Sequence, residues 1–237
     1  MTFAKRSFAD KTLQAYGTYA GLAIENWEKN AKPSAFLRRF VRALPPGARV
    51  LDYGCGIGTD LAWMNGCGLA VEGIDGTAVF VKEARRRLAG IPLRCVRFED
   101  AALPEQAYDG IWCNAALIHV PPRELTDQLA KLQAALKPSG LLGMTLAWGN
   151  KKGFAENDWI PGRYIAGYTK IEAAHFFRPW TVRDLRVTTH DGRSGRWIQI
   201  LAERPSTHRA RHFAAASMAV ATEESGHAQA AHSHRGR

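Results

Sequence analysis

No apolar run in this 237-residue chain approaches the roughly 20 residues needed to span a bilayer. The opening stretch, MTFAKRSFADKTLQAYGTYA, scatters charges among apolar side chains and lacks the unbroken apolar block of a secretory signal. No membrane partner is expected. Cysteine is scarce: Cys55, Cys67, Cys95 and Cys113 form no C-x-x-C pair, and no His/Cys cluster has zinc-site spacing. The expectation is therefore no metal, and reduced thiols in a cytoplasmic protein. A concentrated basic tract is lacking too, although the net charge is +10. Residues 50–150 carry 9 basic and 11 acidic side chains, so the excess lies on the flanks. That distribution is a poor fit to a phosphate-binding track, and a nucleic-acid partner is not expected. Apolar residues make up 46% of the chain, enough for a real core.

What is present is alternation. ARVLDY (48–53), LAVEGID (69–75), LRCVRF (93–98), YDGIWCN (108–114) and LLGMTLAW (141–148) read as buried parallel strands. Between them, TAVFVKEARRRL (77–88) and PPRELTDQLAKLQAAL (121–136) read as helices, the second bounded by prolines before it and Pro138-Ser139-Gly140 after it. Alternating strands and helices imply right-handed βαβ units in a doubly wound α/β sheet with helices on both faces. Two helices, about 10–29 and 33–43, precede the core, giving an N-terminal segment 1–44 and a core 45–204. Residues 148–168 read as a long loop, followed by a short helix from Thr169. Two strands, 184–190 and 195–204, joined through Asp191-Gly192-Arg193-Ser194, bring the sheet to seven strands, mostly parallel with an antiparallel last strand. Residues 205–237 hold five of the eight histidines and read as a low-complexity, disordered tail.

The stretch VLDYGCGIGTD (50–60) falls between the first strand and the first core helix. Open α/β sheets bind ligands at the carboxyl ends of strands, near the switch in strand order. Gly54, Gly56 and Gly58 form a turn bare of Cβ atoms, around Cys55, against which a flat ligand can lie. A dinucleotide site wants G-x-G-x-x-G; here the third glycine comes one residue early, and Asp52 stands two residues before the first. A ligand with a positive centre suits that carboxylate better than a diphosphate. Asp75, followed by Gly76 at the end of the second strand, can accept both hydroxyls of a ribose. Phe98-Glu99-Asp100-Ala101 follows the third strand; Asp100, or its neighbour Glu99, can accept from an exocyclic adenine amine, while Asp100 could instead cap a helix. Ribose, adenine and a positive remainder together describe S-adenosylmethionine.

These segments resemble the class I S-adenosylmethionine-dependent methyltransferases, in particular the small bacterial type 11/type 25 group. The resemblance runs over about residues 12–204: VLDYGCGIGTD for the first motif, GIDGTAV for the ribose acid, RFEDAALP for the adenine side, YDGIWCNAALIHVPP for the fourth motif, LKPSGLLGMTLAW, GRYIAGYTKIEAAHF, and GRWIQILAER for the closing strand. It implies a Rossmann-like fold, S-adenosylmethionine as cofactor, a small-molecule methyl acceptor, and a monomer or homodimer. Where the group carries Tyr-Asp-x-x-Ala-x-x-Tyr near the N-terminus, this chain has YGTYAGLA. Tyr16 fits the first tyrosine and Ala23 stands at the second, leaving Tyr19 as the nearby substitute.

A methyl on a sulfonium is already electrophilic, so holding the nucleophile in line is the main task. His119, after the fourth strand, is the candidate base; it could equally shape the pocket by local hydrogen bonds. Asn114 reads as an orienting residue for the loop or the methionine end. Acceptor contacts are expected from Trp148, Asn150, Trp159, Arg163, Tyr164 and Tyr168: aromatic walls with one cation, which either meets an acidic group or forms an ion pair. Two other functions fit parts of the pattern, an RNA or nucleoside methyltransferase and a non-catalytic cofactor sensor. No Asn/Asp-Pro-Pro-aromatic sequence follows the fourth strand to favour the first.

Overall fold

The computed structural model describes residues 3–188 and 195–206. The 191–194 connection and, apart from its first residues, the 205–237 segment lie outside them. The chain opens with α1 (Phe3–Thr18), α2 (Ala20–Lys29) and α3 (Ala35–Arg42). The single helix expected over 10–29 is in fact two, broken at Tyr19 just after Gly17, where helix propensity is weakest. Ser34 caps α3, its hydroxyl accepting from the Leu37 N–H at 3.0 Å. The core follows: β1 (Arg49–Tyr53), α4 (Thr59–Gly66), β2 (Ala70–Asp75), α5 (Ala78–Arg87), β3 (Leu93–Cys95) and β4 (Tyr108–Asn114). After a 3-10 turn, Leu117–His119, come α6 (Pro122–Ala135) and the long β5 (Leu136–Trp148). Pro122 occupies the first turn of α6, where its missing N–H has no intrahelical partner to lose.

β1 pairs in parallel with both β2 and β4, and β3 extends the sheet beyond β2. Strand order therefore reverses between β1 and β4, and the switch point sits above their carboxyl ends. β4 pairs in parallel with β5. On its other edge β5 takes β9 (Trp197–Glu203) antiparallel, and β8 (Thr181–Thr188) pairs antiparallel with β9. This is the doubly wound, mostly parallel α/β sheet expected from the sequence, but with nine strands among the described residues rather than seven, because residues 152–168 add two.

Residues 151–168 depart from the loop reading. β6 (Lys152–Ala155) and β7 (Arg163–Tyr168) form an antiparallel hairpin, attached by β7 to the tip of β5. The aromatic side chains that resembled a loop composition instead pack as a strand face: Phe154 lies 5.8 Å from Tyr164, ring centre to ring centre. α7 (Lys170–Phe176) then opens on a capping box between Thr169 and Glu172.

Two apolar layers flank the sheet. One places α6 and α7 against Leu51, Ile111, Leu142 and Ile200. The other places α3, α4 and α5 against Val50, Val71 and Trp112. A third cluster joins α1 and α2 to Ile57, Phe80 and Ile160, so the N-terminal helices sit over the switch point. No helix among the described residues is long and apolar enough to cross a membrane.

Candidate functional site

A cleft of about 790 Å³ opens at the carboxyl ends of the central strands. It lies within the usual size range of small-molecule sites. Its floor is the β1–α4 turn. Gly54, Gly56 and Gly58 all have positive φ, at 92°, 53° and 82°. A Cβ on Gly54 would lie 2.4 Å from the Cβ of Ala116, and one on Gly58 would lie 2.5 Å from Leu88. At Gly56 a Cβ would come 3.3 Å from the Trp27 ring, which roofs the turn from α2. Bare backbone is thus needed twice over here, for conformation and for space.

Of the carboxylates that line this cleft, three sit at or beside the glycine turn: Asp52, Asp60 and Asp75. Asp75 accepts from the Gly56 N–H at 3.0 Å and from the Thr77 N–H at 2.7 Å, tying the tip of β2 to the glycine turn. Burial raises its carboxyl above the ordinary range, against the pull of those N–H groups. Asp52 is only 2% exposed, and none of the described residues hydrogen-bonds its carboxylate. Burial, reinforced by Asp60 and Asp75, pushes it well above the usual carboxylate range. A buried carboxylate with carboxylate neighbours and no donor is complementary to a cation. Asp60 is better served: one of its oxygens accepts from Trp112 Nε1 at 2.7 Å and from Asn114 Nδ2 at 3.0 Å. Thr145 Oγ1 donates to Asn114 Oδ1 at 2.8 Å and accepts from the Ala115 N–H at 2.8 Å, which holds Ala115 at φ 55°.

Behind the turn, Tyr16, His119 and Arg163 form one chain of hydrogen bonds. His119 Nδ1 lies 2.6 Å from the Tyr164 carbonyl, which can only accept, so Nδ1 carries the proton. Nε2 then accepts from the Tyr16 hydroxyl at 2.9 Å. Arg163 Nη1 donates to the same hydroxyl at 2.7 Å, while its Nε and Nη2 both hold Asp158, at 2.9 and 2.5 Å. Burial pulls the His119 imidazole down to about 4, keeping it neutral near pH 7. Its basic lone pair is engaged by Tyr16, so any proton-accepting role requires that hydroxyl to move first.

Of the expected cofactor residues, the cleft brings together Asp52, Gly54, Cys55, Gly56, Asp75, Gly76, Glu99, Asn114 and Tyr16. Gly58 stands just behind them as the residue capping α4. Of the three residues expected near the adenine, Glu99 lines the cleft while Asp100 does not, both being exposed, and Ala101 is buried in the core. The two tyrosines separate as well: Tyr16 is buried at the site and Tyr19 points outward, 38% exposed. Among the expected acceptor residues, Arg163 and Trp159 line the cleft. Trp148 does not; it is 40% exposed under the Arg196 guanidinium. Tyr164 and Tyr168 are buried, Tyr164 against Phe8 and Tyr168 against Phe176, because both lie on the β7 hairpin strand rather than on a loop.

Several cleft residues escaped the sequence reading: Leu13, Trp27, Asp60, Phe80 and Phe98. Phe98 stacks on Tyr53 at 4.6 Å and faces Gly54, which makes it a wall for a flat ring at the tip of β3. Asp60 stood inside the quoted motif, yet its pairing with Trp112 and Asn114 depends on β4 lying beside β1.

A glycine turn at the switch point, with buried carboxylates facing it, is the place where open α/β sheets bind ligands. Residues 50–140 match the family model described as a methyltransferase domain. Trans-aconitate 2-methyltransferase of Variovorax paradoxus is 36% identical over 105 residues, 44% of this chain and 40% of that protein. Ubiquinone biosynthesis O-methyltransferase of Xanthomonas campestris pv. campestris is 37% identical over 109 residues, 43% of this chain and 44% of that protein. The chain thus spans less than half the length of these curated relatives. Among solved structures, 1,6-didemethyltoxoflavin-N1-methyltransferase of Burkholderia thailandensis superposes with a TM-score of 0.68 at 20% identity, over 85% of this chain and 91% of that one. That protein is bound to 1,6-didemethyltoxoflavin and S-adenosylhomocysteine. Residues 50–140 thus resemble a methyltransferase domain, and the fold is the one seen in that solved methyltransferase.

Proposed function

We propose that this protein transfers the methyl group of S-adenosylmethionine to a small-molecule acceptor. The observation that carries the reading is Asp52: a carboxylate 2% exposed, lining a 790 Å³ cleft, with carboxylate neighbours and no hydrogen-bond donor among the described residues. A diphosphate ligand would worsen that charge balance, and a cationic nucleoside relieves it. Asp75 would hold the ribose, Phe98 and Glu99 the adenine, and Asp52 with the glycine turn the methionine end. Bound there, the cofactor supplies a methyl group on a sulfonium. This chain's residues bind and orient the acceptor against it and exclude water, with α1 and α2 closing the cleft through Tyr16 and Trp27. The relatives' names point to small-molecule acceptors such as trans-aconitate and ubiquinone precursors, which supports that class without selecting a member.

Titration calorimetry with S-adenosylmethionine, S-adenosylhomocysteine and NAD tests the cofactor. Heat with the first two and none with NAD is expected; heat with NAD alone ends the reading. Cell extract incubated with methyl-labelled cofactor, followed by mass spectrometry of labelled products, then identifies the acceptor. Label recovered only in RNA would replace the small-molecule reading with the nucleic-acid one.

A further inference from the structure

The cleft has two halves, divided by β4. The half over β1, β2 and β3 holds the glycine turn, Asp75, Phe98 and Glu99. The other half lies over the tips of β4, β5 and β9, walled by Ala147, Trp159, Ile165 and Trp197. Resting on the methyltransferase reading above, this second half is the acceptor lobe. Two tryptophans and two aliphatic walls suit a flat, apolar-faced ring.

Charge decides what that ring carries. Five carboxylates line the whole cleft, those of Asp52, Asp60, Asp75, Glu99 and Asp158, against the cations of Lys32, Arg97 and Arg163. Arg97 belongs to the β3 side, paired with Asp10 at 2.5 Å and 4.0 Å from Glu99. Lys32 is exposed. Arg163 is the cation beside the lobe, and it is already engaged. Two of its nitrogens grip Asp158 and a third donates to Tyr16, and its guanidinium lies near the rings of Trp159, at 5.0 Å, and Tyr16, at 5.5 Å. Asp60 lines the cleft as well. The Trp112 and Asn114 donors share its Oδ2, which leaves Oδ1 to accept from an N–H or O–H on the acceptor.

We propose that the acceptor lobe takes a flat neutral or cationic ring compound bearing an N–H or O–H group, and turns away carboxylates, because Asp158 keeps Arg163 occupied. Bound S-adenosylmethionine carries a sulfonium, an ammonium and a carboxylate, a net charge of one positive unit. An anionic acceptor would still meet Asp158 and Asp60 along the cleft.

The test uses the full chain loaded with S-adenosylhomocysteine and three probes sharing one ring system: 2-naphthol, 2-naphthylmethylamine and 2-naphthoate. Calorimetry at pH 7.5 should show the first two binding and naphthoate at least about tenfold weaker. Asp158→Asn frees Arg163 while keeping side-chain volume, and should improve naphthoate about fivefold or more with naphthol unchanged. Equal or tighter binding of naphthoate to the wild-type protein overturns the proposal, as does binding of none of the three. Naphthoate unmoved in a folded Asp158→Asn variant overturns the role of Asp158. Should that variant not fold, the wild-type comparison decides alone. The initial titration separates the two readings: no heat with S-adenosylhomocysteine sinks the methyltransferase function, whereas cofactor binding with a naphthoate preference sinks only this inference.

Discussion

Asp52→Asn should make the ligand-free protein more stable and the cofactor bind less tightly. Asp52 is 2% exposed, receives no hydrogen bond from the described residues, and feels Asp60 and Asp75. An amide of almost the same volume removes the buried charge without opening a cavity. Removing the desolvation of that carboxyl and its repulsion by Asp60 and Asp75 is worth about 1–3 kcal/mol by mutational measures. For a chain of this size that raises the melting temperature by about 2–4 °C per kcal/mol. The same change removes the acceptor of a charged hydrogen bond to the ligand's ammonium, at a cost of about 1.5–3 kcal/mol, or roughly ten- to 150-fold in affinity. At a ligand concentration of 100 times the wild-type Kd, binding stabilises the protein by about 2.7 kcal/mol; a thirtyfold weaker variant retains about 1 kcal/mol. Thermal melts with and without S-adenosylhomocysteine read both effects at once. The pH dependence follows the same logic. Folded Asp52 keeps its proton to higher pH than the unfolded chain does, so the native state binds more protons above the usual carboxylate range, and apo stability falls as pH rises there. The variant should lack that slope. A variant no more stable than wild type, with its ligand-induced shift intact, would refute the reasoning.

Tyr16→Phe removes the hydroxyl shared by His119, at 2.9 Å, and Arg163, at 2.7 Å, leaving buried polar atoms without a partner. Urea denaturation should report a loss of about 1–3 kcal/mol. Gly54→Ala combines a φ of 92° with a Cβ 2.4 Å from that of Ala116, and should cost about 2–5 kcal/mol and abolish calorimetric cofactor binding. Gly17→Ala, in α1 with nothing within 4 Å, is the contrasting case and should add about 0.5–1 kcal/mol. His119→Asn should flatten acid sensitivity. In the wild-type protein the unfolded imidazole takes its proton near 6.5 and the folded one near 4, so stability drops by about 3 kcal/mol as pH falls across that window. The difference between the two proteins' denaturation midpoints, followed from pH 7 to 4, isolates this contribution.

Where the sequence was readable, local chemistry and long-range demand coincided. VLDYGCGIGTD announces a strand, a Cβ-free turn and a carboxylate, and no tertiary contact is needed to see that a ligand must approach there. The parallel core was readable for a similar reason: strands buried on both faces carry unbroken apolar runs, and Pro121-Pro122 marks a helix start in any context. Residues 152–168 were not readable, because a short hairpin with one strand half-exposed and the other buried at nearly every position has no clean period of two, and Gly, Trp and Asn read locally as loop. That single misreading moved Tyr164 and Tyr168 from a cleft wall into the core, since a strand fixes which side chains face inward and a loop does not. The Arg163 side of the cleft was hidden more deeply. Arg163 and Asp158 lie five residues apart and each could serve several partners; Tyr16 and His119, which complete the chain, lie 147 and 44 residues from Arg163. Nothing local says that a cation is already engaged. Its partner choice follows from α1 lying across the hairpin, a packing decision made by Thr12, whose hydroxyl accepts the Tyr164 N–H at 3.0 Å, and by Phe8 against Tyr164. The glycine turn and Asp52 are therefore written in one contiguous motif, whereas the Arg163 side of the cleft is written in the contact between the N-terminal helix and β7.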